Sequence, residues 1–215
     1  MKKGANDVSI IGGADGPTSV FIAKRNSKLT LKQRMQKFRY KIKRAYVEKT
    51  LKPEYHNLDE VIEYVKGLGF IELDKDSYKV KLEYREMRAS LIMQYAPELL
   101  GEYAKVPELK GESPEKIKLY LKKMDERTQK ASEVPETVFD IDFHKFEKMV
   151  GDRNDHMQIT IEKKYAYIGG GASGDKAVKK FEHIYKDVYR YYGVTKQDME
   201  NKSERYKDVV RALSQ

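Results

Sequence analysis

The sequence predicts an α+β protein, predominantly helical, with two small antiparallel β-hairpins. Several long runs repeat apolar side chains every three or four positions, the period of a helix with one buried face. Two pairs of short β-prone segments lie beside glycine-rich stretches, around residues 12–16 and 169–174. Strands and helices do not alternate in the βαβ order that a parallel sheet requires.

Residues 8–11 and 19–23 are β-prone and flank Gly12-Gly13-Ala14-Asp15-Gly16-Pro17-Thr18, which predicts the first hairpin. Leu31, Met35, Phe38, Ile42 and Ala45 follow helical steps, with Tyr46 beside them. Thr30 is placed to cap this helix of about five turns, and no Gly or Pro interrupts it before Pro53. Asn57-Leu58-Asp59-Glu60 reads as a capping box opening a helix through Val61, Val65 and Leu68 that stops at Gly69. Residues 70–73 suit a short strand. Residues 76–95 suit a long helix ended by Pro97, with Val80, Tyr84, Met87, Leu91 and Met93 apolar. Ser113-Pro114 places a cap before a first-turn proline and opens a helix carrying Ile117, Leu121, Met124 and Thr128.

Asp142 is placed to cap a short helix with Phe143, Phe146, Met149 and Val150 on one face, ending at Gly151. Residues 157–161 alternate and residues 165–168 follow a charged turn, giving the second hairpin. Residues 175–192 form a helix with Val178, Phe181, Ile184, Tyr185, Val188 and Tyr192 inward. Thr195 opens a last helix in which Tyr206, Val209, Val210 and Leu213 are spaced for packing. Residues 104–112, rich in Pro, Gly and charge, either divide the chain into parts 1–104 and 113–215 or lie within one compact domain.

Charge is concentrated rather than spread. The chain carries 43 Lys and Arg against 34 Asp and Glu, a net +9. Residues 24–52 hold twelve of the basic residues and one acid, Glu48, so this window carries +11 and the remainder is close to neutral. The window contains the helix capped by Thr30. Lys32, Arg34, Lys37, Arg39, Lys41, Lys43 and Arg44 can neutralise several phosphates, while Tyr40 and Tyr46 can stack on exposed bases. The expectation is a non-enzymatic binding protein whose basic amphipathic helix contacts a polyanion, nucleic acid ahead of an anionic surface. A solvated cationic face on a docked helix is the plainer alternative, and a protein partner stays open.

Gly12, Gly13, Ala14, Asp15, Gly16, Pro17 and Thr18, with their apolar flanks, resemble the GGADGPT signature of the β subunit of sodium-ion-translocating decarboxylases. The resemblance covers the motif and not the rest of the chain. In that family the β subunit is a membrane protein that couples decarboxylation of carboxybiotin to sodium export. Its motif lies in a broken membrane segment, and the motif aspartate is implicated in binding the ion. The resemblance therefore implies a cation-binding loop built on Gly12, Gly13, Asp15, Gly16 and Thr18, with sodium as the ion. It also gives the alternative function, a pump-related or membrane-surface accessory. By residue chemistry, Asp15 and the Thr18 hydroxyl are hard oxygen donors of the kind such a cation prefers. A tight turn with Asp15 bonded to its own backbone is the competing and preferred reading.

A membrane-spanning helix needs roughly 20 predominantly apolar residues. Residues 8–23 come nearest, yet hold Asp15, glycines and Pro17 at their centre, so no transmembrane span is expected. The basic start at Lys2 and Lys3 is followed by an interrupted apolar region, a poor export signal. With no cysteine in the chain, a cytoplasmic location is expected.

Two further patterns carry less. Gly169, Gly171 and Gly174 satisfy G-x-G-x-x-G, but Asp175 stands where a phosphate loop places lysine, and Ala177 follows Lys176 where magnesium needs a hydroxyl. A flexible connection to a capped helix is expected there. Asp140, Asp142, His144, Asp152, Asp155 and His156 form a His/Asp cluster with a DxD pattern, but Phe139, Ile141 and Phe143 alternate with them and nothing fixes a third ligand. The metal assignment stays open. His56 and His183 are isolated, and no catalytic spacing is present, which favours a binding protein over an enzyme.

Overall fold

A computed structural model describes residues 6–13, 16–24, 30–109, 111, 113–151 and 155–215, with the backbone alone described for residues 6–24. The architecture is α+β and mostly helical. In chain order the elements are β1 (Asn6–Gly13), β2 (Gly16–Lys24), α1 (Leu31–Thr50), β3 (Glu54–Tyr55), α2 (Leu58–Gly67), β4 (Ile71–Glu72) and α3 (Tyr78–Tyr95). A 3-10 helix (Pro97–Ala104) leads to α4 (Pro114–Glu133), β5 (Phe143–Met149), β6 (His156–Glu162) and β7 (Tyr167–Ser173). The chain continues through α5 (Asp175–Tyr192), β8 (Gly193–Val194), α6 (Lys196–Asn201) and α7 (Glu204–Ser214).

The chain divides into two compact units, Met1–Lys28 with Asp74–Asp142, and Leu29–Leu73 with Phe143–Gln215. Each is discontinuous in sequence. The division read at residues 104–112 falls inside the first unit, just after the 3-10 helix that ends at Ala104.

In the first unit β1 and β2 form an antiparallel hairpin in which Val8 pairs with Ile22 and Ile10 with Val20. Gly12, Gly13 and Gly16 belong to the strands rather than to a loop. The register shifts after Ile11, whose partner is Ser19, while Gly12 pairs with Pro17. Thr18 is therefore the extra residue of a bulge. α3, α4 and the 3-10 helix pack together. Two buried arginines lock this packing. The Arg88 guanidinium donates to the Phe139 carbonyl at 2.7 Å and to that of Val134. Arg127 donates to the carbonyls of Tyr103, Met93 and Ala104 at 2.9, 3.2 and 3.4 Å. Chain segments lacking regular partners find their hydrogen bonds in these forks.

In the second unit, β4, β5, β6 and β7 form an antiparallel sheet in that order. Its core joins Val61 and Val65 of α2, Phe146 of β5, Ile159 and Ile161 of β6, Ile168 of β7, Phe181 and Val188 of α5, and Val209 of α7. The capping box of α2 forms as expected, with the Asn57 Oδ1 accepting from the Glu60 N–H at 2.9 Å and the Glu60 carboxylate accepting from the Asn57 N–H at 2.8 Å. α5 also has the expected bounds, but Ala177 is buried where Val178 was expected, and Val178 is exposed.

Four expectations are corrected. Residues 143–149 form a strand, not a helix capped by Asp142, because pairing with both β4 and β6 outweighs an apolar spacing that suits a helix. Met149, expected inward, is exposed. The glycines 169–171 lie in β7 rather than in a flexible connection. The helix expected from Thr195 is two helices, interrupted at Lys202 in a left-handed conformation with φ 47°. Finally, β3 and β8 form a two-residue antiparallel ladder that alternation over so short a span cannot signal.

Candidate functional site

α1 carries every residue of the expected polyanion site. Its start is held by a reciprocal capping box, in which the Thr30 N–H donates to Gln33 Oε1 at 2.9 Å and the Gln33 N–H donates to Thr30 Oγ1 at 3.3 Å. All residues from Thr30 to Tyr46 are exposed, so Lys32, Arg34, Lys37, Arg39, Tyr40, Lys41, Lys43, Arg44 and Tyr46 all face solvent. Attachment to the core comes later, through Val47 and Leu51. α1 also contacts α7.

The seven cations are not equivalent. Arg44 Nε donates to Glu48 Oε1 at 3.1 Å, and this hydrogen bond with its charge raises the guanidinium pKa further. Lys43 Nζ donates to the Gln215 main-chain oxygen at 3.3 Å. Lys32, Arg34, Lys37, Arg39 and Lys41 make no ion pair among the described residues. Glu48 lies four positions after Arg44, a spacing that already signals the pair in the sequence. No acidic residue occupies the first turn of α1.

Helical geometry sorts these side chains into faces. At about 100° per residue, Leu31, Met35, Phe38 and Ile42 fall within an arc of about 60°. Lys32, Arg39 and Lys43 lie to one side of that arc and Arg34, Lys37 and Lys41 to the other, while Arg44, about 150° from the stripe centre, is on the far side. Val47, the docking residue, projects from nearly the opposite side, about 150° from the stripe centre. The helix is therefore not docked by the apolar face that its periodicity marks. Leu31 is 79% exposed and Phe38 63%. Tyr40 and Tyr46, six positions apart, are separated by about 120° and do not form one stacking platform.

The motif loop is placed only in part. Gly12, Gly13, Gly16 and Thr18 lie in the β1–β2 hairpin, and Asp15, the residue on which a cation reading depends, lies outside the described residues.

Elsewhere polar groups are engaged in the fold. His144 Nδ1 lies 2.7 Å from Glu72 Oε1, and Glu72 also approaches Lys66 Nζ at 3.6 Å. No three His, Asp or Glu side chains converge on a metal position among the described residues, and Asp152 lies outside them. His56 Nδ1 lies 2.6 Å from the Tyr191 carbonyl, and the His56 ring stacks on Tyr191, which stacks on Tyr64. In β7, a Cβ on Gly170 would lie 2.4 Å from the Gln158 carbonyl oxygen and 2.8 Å from the Phe181 ring, so this glycine lets strand and α5 approach closely. A groove of about 600 Å³ in the first unit is lined by Lys105, Lys116, Lys123 and Arg127 together with Glu102, Glu108 and Glu126, so groups of both signs line it.

No helix among the described residues is long and apolar enough to cross a membrane. The chain matches no protein family, no curated protein and no solved structure.

Proposed function

We propose that the chain is a non-enzymatic binding protein that presents α1 to a polyanionic partner. The observation that carries this reading is the exposure of five cations that make no ion pair among the described residues, Lys32, Arg34, Lys37, Arg39 and Lys41, on one helix with no acid before Glu48. A solvated cationic face would follow from a helix docked by its apolar stripe, and α1 is docked by Val47 and Leu51 instead. Lysine and arginine side chains on such a rod exchange condensed counterions for phosphates, so association is favoured mainly by ion release and weakens steeply with salt.

The test is a salt titration of binding to labelled nucleic acid and to anionic vesicles. If five phosphates of a duplex are engaged, log affinity falls against log salt with a slope of about −4.5. Reversing charge at Lys37, Arg39 and Lys41 to Glu is expected to lower affinity at least about tenfold, consistent with loss of several counterion-releasing contacts. These three suit the test because none holds the fold, whereas Lys43 and Arg44 bond to Gln215 and Glu48. The melting temperature should be unchanged. Absence of binding to every polyanion at low salt refutes the proposal.

A further inference from the structure

We infer that the polyanion is the surface of an anionic lipid bilayer, with α1 lying in the membrane plane and Leu31, Met35, Phe38 and Ile42 seated among the acyl chains. This rests on the polyanion reading of α1 and narrows its partner. Three observations converge. The four apolar side chains are exposed as a continuous stripe over three turns. They are flanked by basic side chains on both sides rather than on one. The helix is anchored to its own unit by Val47, on the far side from the stripe, so the second unit leaves that face open to a flat surface.

A bilayer interface satisfies both halves of this pattern. An interfacial helix seats its apolar face about 5–10 Å into the boundary between headgroups and acyl chains. Its flanking Lys and Arg extend their methylene stems upward and leave their charges at the phosphates. Leu31 to Tyr46 is fifteen steps, about 22 Å at 1.5 Å per residue, and Tyr46, one turn beyond Ile42 at the edge of the stripe, adds an amphipathic ring suited to the headgroup level.

Other occupants satisfy only one half. Nucleic acid would neutralise the flanks but meet a mainly aliphatic stripe with base-edge donors and acceptors; Phe38 is its single aromatic ring, and Leu, Met and Ile do not stack on bases. Tyr40 and Tyr46 point in different directions and supply no shared platform. A second copy docked stripe to stripe would bring two basic rims together, a like-charge arrangement that costs association.

The test uses the full chain and vesicles of phosphatidylcholine alone or mixed with phosphatidylserine, with labelled duplex DNA and single-stranded RNA in parallel. The chain contains no tryptophan, so Phe38→Trp supplies a single reporter within the stripe. The expected result is a blue shift of its emission with mixed vesicles and none with phosphatidylcholine alone or with either nucleic acid. Replacing Leu31, Met35, Phe38 and Ile42 by Ser should lower affinity for mixed vesicles at least tenfold, leave any nucleic-acid binding within twofold, and preserve the circular dichroism of the fold. Reversing charge at Lys37, Arg39 and Lys41 should weaken both. If the serine variant binds mixed vesicles as tightly as the parent, or if the chain binds nucleic acid but no vesicle, the bilayer inference is wrong while the polyanion reading survives. If the parent binds none of these probes at low salt, both are wrong.

Discussion

Gly193 shows how one residue can be decided by a contact far away in sequence. It has φ 58° and ψ −167°, a conformation open almost only to glycine, and a Cβ there would lie 2.0 Å from the Glu54 carbonyl oxygen. That oxygen belongs to the β3–β8 ladder, so the clash cannot be relieved without opening the pair. Gly193→Ala is expected to destabilise the protein by about 2–3 kcal/mol, read as a lower urea midpoint at unchanged slope. Gly171, with no atom within 4 Å of a built Cβ, is the control, and Gly171→Ala should stay within about 0.5 kcal/mol of the parent. Equal stability of the Gly193 variant would show that the backbone there is not constrained as described. From sequence, Gly193 reads only as punctuation before a helix. Its partner, Glu54, is invisible until the chain is folded.

At the scale of elements, α6 and α7 are joined through one carboxylate. The Asp198 carboxylate accepts from the Thr195 N–H at 2.9 Å and from the Thr195 hydroxyl at 2.7 Å, completing a capping box with Thr195. Its other oxygen accepts from the Ser203 hydroxyl at 2.6 Å, and Ser203 itself caps α7 by accepting from the Tyr206 N–H. Burial alone would raise the Asp198 pKa, but the hydrogen bonds from Ser203 and Thr195, together with the Arg205 charge, outweigh it and hold the group below its usual value. A depressed folded pKa means that this contribution is complete above the unfolded value of about 3.9 and is lost as pH falls through the folded one. Between neutral pH and the acid limb, the parent should therefore lose more stability than Asp198→Asn does. Acid titrations of the two by circular dichroism check this, and parallel curves would show that Asp198 ionisation is not coupled to folding. The capping signal at Thr195 is readable in the sequence, but the break at Lys202 and the second cap at Ser203 are not, since no Gly or Pro marks the stop.

At the scale of the molecule, stability and presentation are separated between segments. The core of the second unit draws on α2, the four-stranded sheet, α5 and α7, whereas α1 contributes only its last turn, through Val47 and the following Leu51. Before the Lys43 bond to Gln215, residues 31–42 of α1 are exposed and held mainly by the capping box and by helix propensity, and helices of that length are marginal alone. Native-state hydrogen exchange should show backbone amides in residues 35–45 exchanging far faster than those of α5, by at least about a hundredfold. Added mixed vesicles should slow the α1 amides if the helix binds there. Protection of α1 equal to that of α5 in the free protein would mean that the helix is more firmly supported than its exposure indicates.

Local signals were sufficient for much of the secondary structure. Thr30, Asn57, Ser113 and Thr195 each cap the helix that follows, because a side-chain oxygen before an apolar period satisfies backbone donors whatever the rest of the chain does. The concentration of charge in α1 is likewise a property of composition and order. What the sequence left undecided depends on partners distant in the chain. Phe143, Phe146 and Met149 fit a helix until β4 and β6 supply ladder bonds on both sides of β5. The face of α1 that meets the protein could not be read from periodicity, which assigns the apolar stripe inward. Tertiary structure turned that stripe outward by anchoring the helix through Val47 and Leu51, because burial follows from which surfaces the folded core leaves available, not from hydrophobic pattern alone.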